Sequence, residues 1–343
     1  MNNIKELIDV IKNFVNLPEK TKAYGFNEWL DIDSIIEIEE KKGKISAIDG
    51  GSSEIIKLPT RALVLNRIYC NCFFGMEKLN FFKKCTFISL TKLFKIEEKL
   101  IFETKITNFL EGFIDLEIPI VDSSAEEMRI GKSREDINRA LSMARRFAEW
   151  AYVKEALKSG AKFIIMDGSL QTSFPNESKL MDLMYEEVKK HNVIIAGLSK
   201  TTTLFTEEGL PLSIFLENLA NKVGLKKWAV KLGISEEWAH RAIVYYAKLH
   251  ENCDRGFRID VFREAKEEEI IELLSILASN SKYFAYPGYP YALIDAHTYA
   301  KVGKEEAMHI RDLILDNLDI EIMKKIELAE AALTGHRILD DLG

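Results

Sequence analysis

Two stretches constrain the fold of this chain more than any others. "AKFIIMDGS" (161–169) and "HNVIIAGLSK" (191–200) are continuous apolar runs that end in polar residues. A strand with one wet face alternates; an unbroken run reads as a strand buried on both faces. The intervening spacing predicts a helix over 177–190. Strand, helix and strand at this separation imply parallel pairing, the signature of an α/β sheet.

Upstream, "KISAIDGG", "LPTRALVLNRIYCN" and "KKCTFISLTKLF" read as three short strands close in sequence, hence an antiparallel meander. Between them and the parallel pair lies an Ala-rich stretch, "SREDINRALSMARRFAEWAYVKEALKSG", with helical spacing at Ile137, Leu141, Ala144, Ala148 and Ala151. Ser133 and Asp136 resemble an N-terminal capping pair, and Gly160 is a natural C-terminal stop. Residues 3–16 predict an amphipathic helix, followed by a polar, acidic stretch to about residue 43. Residues 210–250 read as mainly helical, although "HRAIVYYAKLH" and then "GFRIDVF" resemble strands. A charged helix is expected over about 264–279, a further strand motif in "YPYALIDAHTYAKV", and helix from Lys304 onward.

The expected architecture is therefore α/β: an RNase H-like core of mixed sheet flanked by helices, with a mainly helical insertion. We read one domain over 1–343, divided into an N-terminal helix and linker (1–43), the core (44–200), the insertion (201–280, with strands near 244–262) and a closing strand motif with C-terminal helices (281–343).

Composition narrows the class. Hydrophobic residues are 47% and charged residues 29%, which fits a folded soluble protein. No apolar run nears the ~20 residues that span a bilayer, and the N-terminus lacks a signal-peptide pattern, so the cytoplasm is expected and no membrane contact. The net charge of −7 argues against a protein that coats nucleic acid, yet leaves room for an enzyme with a local basic channel. Cys70, Cys72, Cys85 and Cys253 lack recognised zinc spacing and read as reduced core or surface thiols.

The chemistry is expected at two similar stretches, "AIDGGS" and "IIMDGS". Asp-Gly is a common turn dipeptide, and each copy alone reads as a turn. Together they place Asp49 and Asp167 each after a buried strand, at the carboxyl end where α/β sheets put ligands. If those strands are neighbours, two carboxylates converge, and a divalent cation offsets their repulsion. Carboxylates on Mg²⁺ or Mn²⁺ suit phosphoryl transfer. A third carboxylate is expected from the helix between them; Asp136, Glu149 and Glu155 are candidates, and helical periodicity leaves the last two even. Lys200, at the exit of "VIIAGLSK", reads either as a surface lysine or as a ligand for a scissile phosphate. His297 reads either as structural or as a metal ligand or proton carrier, with Asp295 on its face if the segment is a strand.

"AIDGGS", "RRFAEW", "FIIMDGSL", "GLSKT" and "YPYALIDAH" occur in the order seen in NurA nucleases, which the chain resembles from about residue 45 to residue 310. The resemblance implies an RNase H-like core, a homodimer and Mn²⁺-dependent cleavage of DNA, with Mg²⁺ as a second candidate ion. It further implies 5′ to 3′ digestion of single- and double-stranded DNA, internal cutting of single strands, and action with a HerA-type hexameric ATPase in DNA end resection and recombinational repair. Position by position it implies Asp49, Glu149, Asp167 and His297 as catalytic metal ligands and Lys200 as a catalytic lysine; this, not periodicity, selects Glu149 over Glu155. Arg139, Arg145, Arg146 and Lys200 are expected to line a DNA channel, and Tyr289 and Tyr291 either stack on bases or pack around Pro287 and Pro290. The alternative is a catalytically silent RNase H-like module that binds nucleic acid or a partner.

Overall fold

The computed structural model describes residues 17–128, 137–235 and 239–340, together with Ile4. The expected helix over 3–16 and the Ser133/Asp136 cap lie outside these residues, Ile4 apart. Among the described residues the strands are β1 (Thr21–Lys22), β2 (Trp29–Leu30), β3 (Ile35–Glu37), β4 (Lys44–Leu58), β5 (Arg61–Phe74), β6 (Glu77–Ile96), β7 (Lys99–Glu111), β8 (Val121–Asp122), β9 (Phe163–Asp167), β10 (Ile194–Ser199), β11 (Trp228–Ile234), β12 (Ala242–Lys248) and β13 (Phe257–Phe262). The helices are α1 (Ile137–Ala140), α2 (Met143–Ala151), α3 (Val153–Leu157), α4 (Glu177–Lys190), α5 (Leu212–Val223), α6 (Glu267–Asn280), α7 (Tyr291–Ala300), α8 (Lys304–Leu315) and α9 (Ile320–Asp340). None of them is long and apolar enough to cross a membrane.

One 11-stranded mixed sheet organises the chain, in the order β3-β11-β12-β13-β10-β9-β4-β5-β6-β7-β8. Its centre is β6-β5-β4-β9-β10. Strands β4, β5 and β6 form an antiparallel meander, while β9 pairs in parallel with both β4 and β10. That order and polarity is the RNase H-like core expected from the sequence. The helix between the parallel strands falls at Glu177–Lys190, as its spacing predicts.

The two apolar runs behave as strands covered on both faces. Ile164 and Met166 pack with α2 and α4, whereas Phe163 and Ile165 pack with α6 and α7. Burying apolar area at roughly 25 cal/mol per Å² is what ties these helix layers to the sheet. The four cysteines are free and buried, as core thiols.

Four expectations need correction. β4 does not end at the Asp-Gly; it runs on to Leu58, so Asp49 sits mid-strand. Gly51 is there because α7 crosses the strand so closely that an added Cβ would lie 2.2 Å from the Ala300 carbonyl oxygen. The helix expected across 133–160 is divided into α1, α2 and α3. In the 201–280 segment the strands expected near 244–262 are present as β12 and β13, but β11 (Trp228–Ile234) joins them, and the three extend the central sheet through antiparallel pairing of β13 on β10, so the segment is not mainly helical. Finally, the closing strand motif is a helix. Ala292, Ala296 and Ala300 recur at helical spacing and lie flat on the sheet, and Pro290 stands at the N-cap with extended dihedrals.

Because the Ala300 carbonyl is backbone and cannot swing aside, Gly51→Ala is expected to cost about 1–3 kcal/mol through forced overpacking. Urea unfolding checks this; a midpoint unchanged from the parent would contradict the close approach.

Candidate active site

Ile45↔Phe163 and Ala47↔Ile165 pair across β4 and β9, and the next position on the same face holds Asp49 beside Asp167. The parallel register thus sets two carboxylates side by side. α7 lies over the same face and adds His297. The ligand atoms of Asp49, Asp167 and His297 all fall within 4.8 Å of one another.

Each carboxylate is partly satisfied by the protein. Asp49 Oδ1 accepts from the Gly50 N–H at 2.7 Å, and His297 Nδ1 lies 2.8 Å from Asp49 Oδ2. A carboxylate only accepts, so Nδ1 carries the proton in this pairing, and Nε2 is the ring nitrogen left for another partner. Asp167 Oδ1 accepts from the Tyr289 hydroxyl at 3.0 Å. Lys200 Nζ stands 2.5 Å from Asp167 Oδ2, yet this buried oxygen takes no hydrogen bond of good geometry. The two observations agree if the lysine acts as a point charge there, off the lone-pair direction. Burial first, and then the charge of Asp49, push the Asp167 carboxyl above its usual range, against the pull of Lys200 and Tyr289. Burial and the facing Asp167 likewise hold the Tyr289 phenol well above its usual value.

Two carboxylates and an imidazole make a donor set that fits a divalent cation.

Glu149 reaches the strand from the other side. It stands on α2, whose apolar residues share a cluster with Ile48, and it approaches where Gly50 leaves room: a Cβ there would lie 2.6 Å from Glu149 Oε1. Its carboxylate pairs with Arg145 and lies 3.5 Å from Arg146. Burial pushes it up to about 6, opposed by the two arginines and reinforced by Asp49. Glu149 is therefore a neighbour of Asp49 but is not one of the three clustered ligands. Glu155, its rival on periodicity, pairs with Lys158 on α3.

Residues 43–302 match the NurA domain. The chain belongs to the NurA family. Among solved structures it is similar to the NurA nuclease from Sulfolobus solfataricus, at 16% identity and a TM-score of 0.49, over 91% of this chain and 92% of that one. It is also similar to Ciona intestinalis endonuclease V in complex with DNA, at 11% identity and a TM-score of 0.40, over 89% and 99%. Human endonuclease V is similar at 10% identity and a TM-score of 0.35, over 81% and 94%. A comparison with curated proteins finds no match.

Within this NurA domain, two buried carboxylates that sequence reasoning missed hold the loop after Asp167. Glu177 accepts from Arg146 Nε and Trp150 Nε1, both at 2.7 Å, and from the backbone N–H groups of Ser173 and Phe174. Arg146 in turn donates to the carbonyls of Ser169 and Gln171. Asp260, on β13, accepts from Ser169 Oγ at 2.6 Å, from the Leu170 N–H at 3.1 Å and from Arg258, with His240 Nε2 at 2.8 Å. Burial works against ionisation of Asp260, but His240 and Arg258 overcome it and bring it down to about 2. The signal available in sequence was a charged residue inside an apolar strand, Asp260 in "GFRIDVF".

Arg146 is buried and fully engaged, so it braces the loop and does not line an open channel. Arg139 donates to the carbonyls of Glu127 and Ser173. Arg145 stays partly exposed beside Gly50. Tyr289 is 1% exposed and offers no face to a base. Tyr291 packs edge-on against Phe73. Asp295 turns away from His297 to Lys78 and Asn71.

Asp49 raises both Asp167 and Glu149, so in chelator it is a source of repulsion. A carboxyl raised in the folded state contributes stability at low pH that is lost as pH rises through the folded value. Asp49→Asn in chelator is therefore expected to melt no lower than the parent, with an advantage that grows as pH rises through about 6. Glu177→Ala, which leaves Arg146 buried without its partner, is expected to cost about 3–5 kcal/mol. Thermal and urea unfolding distinguish the two; an equal loss in both variants would contradict the division between repulsive site and bracing network.

Proposed function

We propose that this chain is a divalent-metal-dependent deoxyribonuclease that hydrolyses phosphodiester bonds at the Asp49–Asp167–His297 cluster. The carrying observation is that cluster: three ligands, two carboxylates and an imidazole, within 4.8 Å on one sheet face. Membership of the NurA family and the RNase H-like strand order support a nuclease. An imidazole among carboxylates favours Mn²⁺ over Mg²⁺ as the bound ion. The family resemblance supports the finer reading: 5′ to 3′ exonuclease action on single- and double-stranded DNA, endonuclease action on single strands, a homodimer, and work in the cytoplasm beside a HerA-type ATPase in end resection and recombinational repair.

The cation, when held by Asp49, Asp167 and His297, supplies Lewis acidity at the phosphoryl oxygen and makes an attacking water more acidic. The protein does the rest. β4 and β9 fix the two carboxylates relative to each other, so little reorganisation is needed when charge develops. Tyr289 holds one oxygen of Asp167 and leaves the other to ligate. Lys200 is close enough to Asp167 to exchange that carboxylate for a non-bridging phosphate oxygen, where its ammonium offsets charge in the transition state. Glu149, near neutrality in its titration and linked to Asp49 through Gly50, is placed to accept or return a proton on that side of the strand. A silent binding module would have no need of two adjacent carboxylates set beside an imidazole on one sheet face.

Labelled single-stranded DNA, duplex DNA and RNA, each incubated with Mn²⁺, Mg²⁺ or EDTA, test this reading. Cleavage of DNA with Mn²⁺ and none with EDTA is expected. Asp167→Asn should lower the rate at least about 100-fold with normal melting, and Lys200→Ala about 10–100-fold, mainly in kcat. Unchanged cleavage by Asp167→Asn would overturn the assignment.

A further inference from the structure

The face of the sheet that carries the carboxylates continues into a stack of aromatic rings. Asp49 is paired with Tyr69 on β5, and directly opposite residues of an antiparallel pair share a face. On β6, Lys84 lies opposite Tyr69, and Phe82 is its diagonal neighbour on that same face. Across four adjacent strands, β9, β4, β5 and β6, the row therefore reads Asp167, Asp49, Tyr69, Phe82. α7 adds Tyr299, two residues beyond His297.

Tyr69 stacks on Tyr299, with centroids 5.1 Å apart and planes at 23°, and on Phe82, at 6.0 Å and 20°. The middle ring is 2% exposed, but Phe82 is 57% exposed and Tyr299 52%. Lys78 pins the assembly: its ammonium donates to the Tyr69 hydroxyl at 3.1 Å and to both oxygens of Asp295 at 2.8 Å, and it lies 4.4 Å from the Tyr299 centroid. The stack is thus rigid, ends in two rings open to solvent, and starts one strand away from Asp49. Strands are spaced ~4.8 Å apart, so Phe82, two strands from Asp49 and three from Asp167, lies roughly 10–15 Å from the carboxylates, the reach of a few nucleotides, while Tyr299 follows His297 on α7.

We propose that Tyr299 and Phe82 form a base-stacking subsite that receives the unpaired bases of single-stranded nucleic acid beside the scissile phosphate. The proposal rests on reading the Asp49–Asp167–His297 cluster as the phosphodiester site. The scissile phosphate would be met by the cation that the carboxylates hold and by Lys200, and the rings take the bases next to it. Stacking suits a subsite that must accept any sequence, since every base presents a π-face. A duplex, whose bases are already stacked on each other, gains nothing from these rings, so the subsite selects the unpaired form.

The test is a binding titration in EDTA, where no cleavage intervenes. A labelled oligothymidylate of about fifteen nucleotides, within the usual site size, is compared with an abasic strand of the same length and phosphate count. The parent protein should bind the thymidylate at least about tenfold more tightly than the abasic strand. Tyr299→Leu and Phe82→Leu keep apolar bulk at half-exposed positions. They should each lose most of that preference, leave abasic binding unchanged and melt with the parent. Equal affinity of the parent for both strands, binding of neither, or an unchanged preference in both variants would overturn the subsite. Cleavage of the same thymidylate with Mn²⁺, measured separately, reports on the nuclease reading: its absence alone would sink that reading while the binding comparison still decides the stack.

Discussion

Two negative charges are forced together by backbone pairing, and much of the surrounding structure answers that constraint. The parallel register of β4 and β9 puts Asp49 next to Asp167 on a buried face, where low dielectric makes their repulsion costly. His297, Lys200, Tyr289 and the Gly50 N–H each meet one of the carboxylate oxygens. They do not cancel the strain: burial first, with the charge of Asp49 added, still makes Asp167 and Glu149 hold protons more tightly than usual. A site with that residual demand for positive charge is organised to receive a cation.

Keeping Asp167 in place needs a firm loop behind it, and that firmness comes from charges buried elsewhere. Asp260 grips Ser169 and Leu170 from the β13 side, while Glu177, through Arg146, grips Ser169 and Gln171 from the helix side. Each carboxylate is satisfied by several donors, the condition under which a buried charge is tolerated. The strands β11 to β13, which widen the sheet beyond the RNase H-like centre, therefore also serve the site, because they deliver Asp260 and His240 beneath it.

The central sheet was legible because its signals are local and strong: unbroken apolar runs for β9 and β10, and a helical period between them. Asp49 and Asp167 were legible as a pair because each interrupts such a run. Other features depend on tertiary contacts that no local pattern carries. "DGG" at 49–51 looks like a turn, but its glycines serve close approach by Glu149 and Ala300 within an unbroken strand. "YPYALIDAHTYA" alternates enough to suggest a strand, whereas its alanines at every fourth position lie against the sheet as a helix. The choice between Glu149 and Glu155 turns on which face of α2 and α3 meets β4. Arg146 read as a ligand for DNA because its partners, Glu177 and the carbonyls of the loop, are distant in sequence.

The central claim is that Asp49, Asp167 and His297 form one cation site. Anomalous diffraction from crystals grown with Mn²⁺ tests it most directly. The account predicts a manganese peak within bonding distance of an oxygen of Asp49, an oxygen of Asp167 and a ring nitrogen of His297. A peak that bypasses these residues, or a soaked site with Lys200 still on Asp167 and no manganese beside it, would contradict it.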